Sequence, residues 1–234
     1  MNIKKATATL SMVLLGCGAM ATQAAGGPAA TPNELRVGAY FISYDVKAND
    51  LAGPFVPPGV NLDVKKLTTA YFALTRRLSE HLVLQLSAGL PPKTETVGKG
   101  PATLGSVPYD GQVVSTAKWL APTLILNYVF GPQTWTVRPY IGVGVNYTHF
   151  YDLQSTDAGN AASGGPTAIS LSNSTGPEGT VGVVWKVADR WHLYGSYSKT
   201  KISSSYVGNT AGAIRRTHID FNPSAFVLSA GFSF

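Results

Sequence analysis

The stretch Val137-Arg138-Pro139-Tyr140-Ile141-Gly142-Val143-Gly144-Val145-Asn146-Tyr147-Thr148 decides the fold. Its odd positions from Val137 through Ile141, Val143, Val145 and Tyr147 are apolar, apart from Pro139. Its even positions are Arg138, Tyr140, two glycines, Asn146 and Thr148. A period of two places alternate side chains on opposite faces of a strand, so this segment is a strand with one greasy face and one small or polar face. The same pattern recurs upstream. Leu82, Leu84, Leu86, Ala88 and Leu90 alternate with Val83, Gln85, Ser87 and Gly89, and Leu124, Leu126, Tyr128 and Phe130 with Thr123, Ile125, Asn127 and Val129. Downstream, Val181, Val183, Trp185 and Val187 face away from Thr180, Gly182 and Lys186, and Phe226, Leu228, Ala230, Phe232 and Phe234 from Val227, Ser229, Gly231 and Ser233. Leu35 to Lys47 and Val60 to Arg76 alternate less cleanly and are also predicted strands.

An alternating sheet can put its apolar face inward, as a soluble sandwich does, or outward toward lipid. The small face decides between them. Gly142, Gly144, Gly182, Ser229, Gly231 and Ser233 do not form the exposed face of a soluble sheet, which would carry Lys, Glu and Thr. Charge is 13% of the 234 residues and is predicted to sit at strand ends. The mean hydropathy is close to zero because alternation halves what any average along the chain can register.

Connection lengths sharpen the reading. Gaps run long around Ala48 to Gly59, short at Arg77 to His81, long from Lys93 to Val114 and short at Gly131 to Thr134. They continue long from Asp152 to Pro177, short at Ala188 to Arg190 and long from Ser203 to Thr217. Strict alternation predicts an all-β fold, an eight-stranded antiparallel transmembrane β-barrel with short periplasmic turns and long extracellular loops in the bacterial outer membrane. Phe130, Trp135, Trp185, Trp191, Phe232 and Phe234 are predicted to form one interfacial belt. Trp119, Tyr147, Tyr151 and Phe221 are predicted to form the other. The segment from Ala158 to Gly176, rich in Gly, Ser, Ala and Asn, has too few apolar residues to fold by itself.

The amino terminus specifies export. Lys4 and Lys5 precede an apolar stretch from Ala6 to Ala21 and the small-residue run Ala21-Thr22-Gln23-Ala24-Ala25, the form of a secretory signal. Residues 1–24 are predicted to be cleaved, leaving 25–234 as the barrel. A competing reading takes Leu14-Leu15-Gly16-Cys17 as a lipoprotein cleavage box with Cys17 lipidated. Cys17 is the one cysteine, which excludes a disulfide framework. The net charge of +6 includes Lys4 and Lys5, and the remaining basic residues are scattered, which gives no support to nucleic-acid binding.

Several stretches carry a family resemblance. Asn61-Leu62-Asp63-Val64-Lys65, Leu120-Ala121-Pro122-Thr123-Leu124, the Arg138 to Thr148 segment and the ending Pro223 to Phe234 are similar to the corresponding parts of the OmpW family of small outer-membrane proteins. The resemblance implies an eight-stranded barrel that admits small hydrophobic compounds. Phe234 ends a strand of the form by which the barrel assembly machinery recognises its clients.

Eight strands enclose room for side chains or one small ligand, whereas a general porin needs about sixteen. The expected passage is narrow and largely apolar, lined by Ala121, Thr123, Ile125, Val129, Tyr140, Val184, Tyr194 and Val227. Pro122, Pro139 and Pro223 lie in or at the end of strands and cannot donate a ladder hydrogen bond, so they mark places for a lateral opening into the bilayer. An alternative is a surface receptor or structural barrel whose outer loops bind host, phage or lipopolysaccharide. Lys93, Lys99, Lys118, Arg215 and Arg216 stand near those loops as candidates for lipid A phosphates.

Catalysis has little footing. His192 and Ser196 share a strand face but lie roughly 13 Å apart by strand rise. His218 and Asp220 share a face with no serine close in sequence. The four histidines, His81, His149, His192 and His218, have no shared metal-ligand spacing, so neither a metal nor a cofactor is implied.

Overall fold

The computed structural model describes residues 32–234. The signal sequence assigned to residues 1–24 lies outside the described residues. Eight strands form the wall: β1 (Asn33–Tyr44), β2 (Leu67–Arg77), β3 (Leu82–Gly89), β4 (Thr123–Val129), β5 (Val137–Ser155), β6 (Ser174–Lys186), β7 (Trp191–Thr200) and β8 (Pro223–Ser233). Each pairs antiparallel with its neighbour in sequence, and β8 returns to β1 over the register Glu34↔Ser233 to Tyr44↔Pro223. Closure removes the sheet edges, so every wall strand has a neighbour on both sides.

The faces follow the alternation in the sequence. In β4, Thr123, Ile125, Asn127 and Val129 are buried while Leu124, Leu126 and Tyr128 are exposed. In β5, Val143 is 71% exposed between inward-facing Gly142 and Gly144. A soluble protein would reverse this order. Here the exposed apolar band faces lipid, as the hydrophobic effect requires of a chain dissolved in a bilayer.

The inward glycines make room for large neighbours. A Cβ on Gly182 would strike the Tyr140 ring, one on Gly142 would strike the Asn127 amide oxygen, and one on Gly231 would strike the Glu34 carboxylate. The barrel's girth is too small for side chains at every inward position, so bulky ones face bare backbone.

Short turns at 78–81, 130–136 and 187–190 close one end. On the other end, the segments expected as loops are largely ordered. Asn61–Val64, Lys93–Lys99, Val113–Leu120 and the upper part of β5 prolong the wall as a ribbon sheet. Thr167–Leu171, Ser203–Thr210, Ala213–Asp220 and Lys47–Ala48 form a four-stranded sheet beside it.

The segment with too few apolar residues to fold alone borrows its order from neighbours. Helix α1 (Asp157–Ser163) is capped by Thr156, whose Oγ1 accepts from Gly159 N at 3.1 Å, and by Gly164 in the left-handed conformation at φ 82°. Thr167–Leu171 then adds itself to Ser203–Thr210 as an edge strand. An apolar core of Val60, Leu62, Val64, Tyr109, Ile219 and Phe221, among others, lies beneath these ribbons.

The belts also differ from expectation. At the turn end, Trp135, Trp185, Trp191 and Phe234 are each about half exposed, as an interfacial belt requires. At the other end Tyr147 is exposed, but Phe221 is buried and Trp119 turns inward to donate to Thr94 Oγ1 at 2.8 Å. Both belong to the interior because the wall continues above them as ribbon.

Candidate functional site

The interior divides into two levels. The upper level, under the extracellular ribbons, is a chamber with about 830 Å³ of unfilled space including its open mouth. Within it the cavity proper measures about 60 Å³. Its walls include Ile42, Leu62, Val64, Phe150, Ile202 and Phe221, with Tyr44, Thr94, Trp119, Asn146, Thr148 and Thr200 set among them. A chiefly apolar concavity with a few fixed polar groups suits a small organic molecule.

The polar groups at the chamber's floor are engaged with one another. Thr148 Oγ1 donates to Asn146 Oδ1 at 2.7 Å, and Asn146 Nδ2 donates to Thr123 Oγ1 at 2.8 Å. Thr200 Oγ1 donates to the buried Glu178 carboxylate at 2.8 Å.

The lower level is a stopper. Arg36 Nε lies 2.8 Å from Glu34 Oε1, and Arg36 Nη1 donates to Gln85 Oε1 at 3.1 Å. Gln85 Nε2 donates to the Tyr71 hydroxyl at 3.0 Å, and Asn127 Nδ2 donates to Gln85 Oε1 at 3.2 Å. The Arg36 guanidinium also stacks over the Tyr194 ring, 3.4 Å from its centroid. Glu34 Oε2 accepts from Ser233 Oγ at 3.2 Å and lies 2.7 Å from His192 Nδ1. Strands β1, β2, β3, β4, β7 and β8 thus contribute to one network. A buried pair this well supplied with further hydrogen bonds is held in place, because freeing either charge would leave its partner uncompensated.

The eight lining residues predicted from sequence all lie on the inner surface, though not in one compartment. Ala121 borders the chamber. Thr123 and Ile125 are buried at the boundary. Val129, Tyr140 and Tyr194 pack together with Val184 beside the stopper, and Val227 packs with Tyr71 and Ala73. The expectation of a narrow, largely apolar interior is therefore corrected: a polar network crosses its lower level. The lower level differs because β1 turns Glu34 and Arg36 inward and β3 and β4 turn Gln85 and Asn127 to meet them, between two small apolar clusters. Glu34 and Arg36 do stand near the start of β1, but they face the interior.

A signal for this existed in the sequence. Glu34 and Arg36 alternate with Leu35 and Val37, so both charges share the face opposite the apolar one. The chamber residues Tyr44, Trp119 and Phe150 carried no comparable signal, since they lie where strands pass into ribbons.

The three prolines occupy different settings. Pro139 is exposed near the start of β5, beside the short turn 130–136, and its carbonyl accepts from Phe130 N at 2.9 Å. Pro122 joins Val113–Leu120 to β4, and its carbonyl accepts from Tyr147 N at 3.0 Å. Pro223 is the one of the three that lines the chamber. Phe234 N donates to Asn33 O and Ser233 N to Arg190 O, so odd positions of β8 face β7. The donor that Pro223 lacks is therefore missing on the Thr200 side.

The basic residues and histidines are mostly engaged too. Lys99 pairs with Asp63 at 2.8 Å and Lys118 with Asp152 at 2.9 Å. Arg215 is buried and donates to Pro54 O, Thr210 Oγ1 and Ser163 O, so it is a structural tie and not a lipid A contact. Strand pairing brings Ser203 to Asp220, supplying the serine that sequence proximity did not. Ser203 Oγ donates to Asp220 Oδ1 at 2.5 Å, which lowers that carboxyl's pKa, and His218 Nε2 lies 3.5 Å from the same oxygen. The carboxylate sits between the other two, an order in which the histidine does not act on the serine.

A closed eight-stranded wall with a lipid-facing apolar band, short turns at one end and ribbons at the other defines a small outer-membrane β-barrel. The chain belongs to the OmpW family, whose model matches residues 43–234. Among relatives, it is 27% identical to outer membrane protein W of Vibrio cholerae serotype O1 over 191 residues, 81% of this chain and 84% of that one. It is 29% identical over 140 residues to the dibenzothiophene metabolism operon protein PahQ of Pseudomonas aeruginosa, covering 56% of this chain and 61% of PahQ. In structure it superposes on the outer membrane protein OprG of Pseudomonas aeruginosa with a TM-score of 0.78 at 22% identity, covering 88% of this chain and 96% of that one.

Proposed function

We propose that this barrel passively admits small hydrophobic molecules from outside the cell into the upper chamber and releases them sideways into the bilayer. The observation that carries the reading is an apolar chamber standing on a closed polar stopper. A solute that enters has no way down, while the bilayer beyond the wall favours it by about 25 cal/mol per Å² of apolar surface buried. No energy source or cofactor is called for.

Features at the top of β1 and β8 support an exit there. Ile42 borders the chamber on its inner side and, on the outer side, a groove formed by Phe41, Ser43, Leu67, Tyr197 and Phe226. The β1–β2 ladder ends at Ile42↔Leu67, and Pro223 leaves Thr200 without a ladder donor nearby. The wall is therefore short of ladder hydrogen bonds beside Ile42, which lines both the chamber and the groove. The name of PahQ places that relative in a dibenzothiophene metabolism operon, and dibenzothiophene is a flat apolar molecule, which supports a hydrophobic cargo here.

The test is uptake of labelled octane by cells lacking their own barrels of this family, whose lipopolysaccharide leaflet is the barrier. Expression of this protein is expected to speed uptake, and Pro223→Ala, which restores the missing donor, is expected to slow it. Unchanged uptake in the variant would remove Pro223 from the route. Uptake no faster than in barrel-free cells would remove the function.

A further inference from the structure

The outer face of the wall carries two lysines that the barrel itself does not engage. Lys66, which immediately precedes β2, and Lys199, near the end of β7, are both exposed, and neither is in an ion pair among the described residues. Lysines on the ribbons differ. Lys65 pairs with Glu95 at 2.7 Å, Lys99 with Asp63 at 2.8 Å and Lys118 with Asp152 at 2.9 Å.

Strand register sets the two free lysines on one rung. Lys199 pairs with Ser224 and Ser224 with Ser43, and Ser43 lies one position past the Ile42↔Leu67 pair, opposite Lys66. Three strand spacings of about 4.8 Å separate the lysines, so they stand about 14 Å apart along the wall with only two serines between them. One outward position nearer the membrane centre, the rung reads Thr68, Phe41, Phe226 and Tyr197, with the Phe41 and Phe226 rings 6.3 Å apart. These four line the outer groove together with Lys66, Ser43 and Ser224. One outward position in the other direction, Lys201 and Asp45 are both exposed and in no ion pair, so they offset each other and the face keeps its surplus of positive charge.

We propose that this face holds a molecule of lipid A from the outer leaflet, with Lys66 and Lys199 each donating to a phosphate and an acyl chain lying in the groove along Phe41 and Phe226. Ammonium groups make charge-assisted hydrogen bonds to phosphate, and at the edge of a hydrocarbon layer salt screens them less than in open water. A disaccharide with a phosphate at each end and acyl chains beneath it matches two cations flanking small residues above an apolar floor. A phospholipid carries one phosphate and engages one lysine at a time. The assignment concerns the outside of the wall and stands whether or not solutes pass through the chamber.

The experiment is native mass spectrometry of the barrel in maltoside micelles, titrated with bisphosphorylated lipid A, the same lipid freed of phosphate, or phosphatidylglycerol. Heat-modifiable migration on gels establishes that each variant is folded. Wild type is expected to retain one lipid A more tightly than either other lipid. Lys66→Gln and Lys199→Gln should each weaken that retention about fivefold, while Lys118→Gln, which removes the same charge elsewhere, should leave it unchanged. Equal retention of the phosphate-free lipid or of phosphatidylglycerol would overturn the proposal. So would undiminished retention by the Lys66→Gln, Lys199→Gln double variant, or a loss in Lys118→Gln as large as in Lys66→Gln.

Discussion

Arg138 Nε donates to the carbonyl of Phe130 at 3.1 Å, in the place of the backbone N–H that Pro139 does not have. The same guanidinium reaches Gly131 O at 2.6 Å and Glu80 O at 3.1 Å, so one side chain ties the first two short turns together. The proline's gap in the β4–β5 ladder is thereby closed, which sets it apart from the gap at Pro223.

Arg138→Ala is expected to destabilise the barrel by about 2 kcal/mol in denaturant unfolding from detergent micelles, and Arg138→Lys by nearly as much, since an ammonium cannot reproduce the forked geometry. Adding Pro139→Ala to Arg138→Ala returns a ladder donor to Phe130, so the double variant should recover part of the loss.

Arg36→Ala removes the cation from the stopper and leaves Glu34 buried without its partner. A cost of roughly 3 kcal/mol is expected, smaller in the Glu34→Ala, Arg36→Ala double variant. Planar-bilayer recording should show ionic current through Arg36→Ala that wild type does not pass.

Val143 points into lipid at mid-wall, 71% exposed. Val143→Arg is expected to cost about 2–4 kcal/mol in a bilayer unfolding assay, whereas Val143→Leu should be close to neutral. Equal tolerance of both would mean that this face does not meet hydrocarbon.

Gly182→Val puts a branched side chain against the Tyr140 ring. Overpacking of about 1–3 kcal/mol is expected, and Tyr140→Ala in the same chain should relieve part of it, since the Gly195 carbonyl at 2.7 Å stays in place, as read by midpoint shifts in urea.

These residues also show what a sequence can and cannot convey. The wall was legible because its signal is local: Val143 between two glycines fixes the face of β5, and alternating connection lengths fix the topology. The stopper was partly legible, since Glu34 and Arg36 share a face, but the glutamine and asparagine that complete it come from strands about 50 and 90 residues away in sequence, and only closure of the barrel brings them together. The chamber was the least legible. Tyr44 and Trp119 lie at the ends of strands, and Phe150 in the part of β5 that passes from wall to ribbon, where a period of two no longer says which way a side chain points. Likewise Ser203 meets Asp220 through a pairing that spacing alone does not disclose.

The most direct test of passage without a water path is a pair of readings on one protein: octane uptake by barrel-deleted cells and single-channel current in a planar bilayer. Wild type is expected to speed uptake while passing no resolved ionic steps, because the chamber opens to lipid and the stopper closes the floor. Steady ionic conductance with no gain in octane uptake would contradict it.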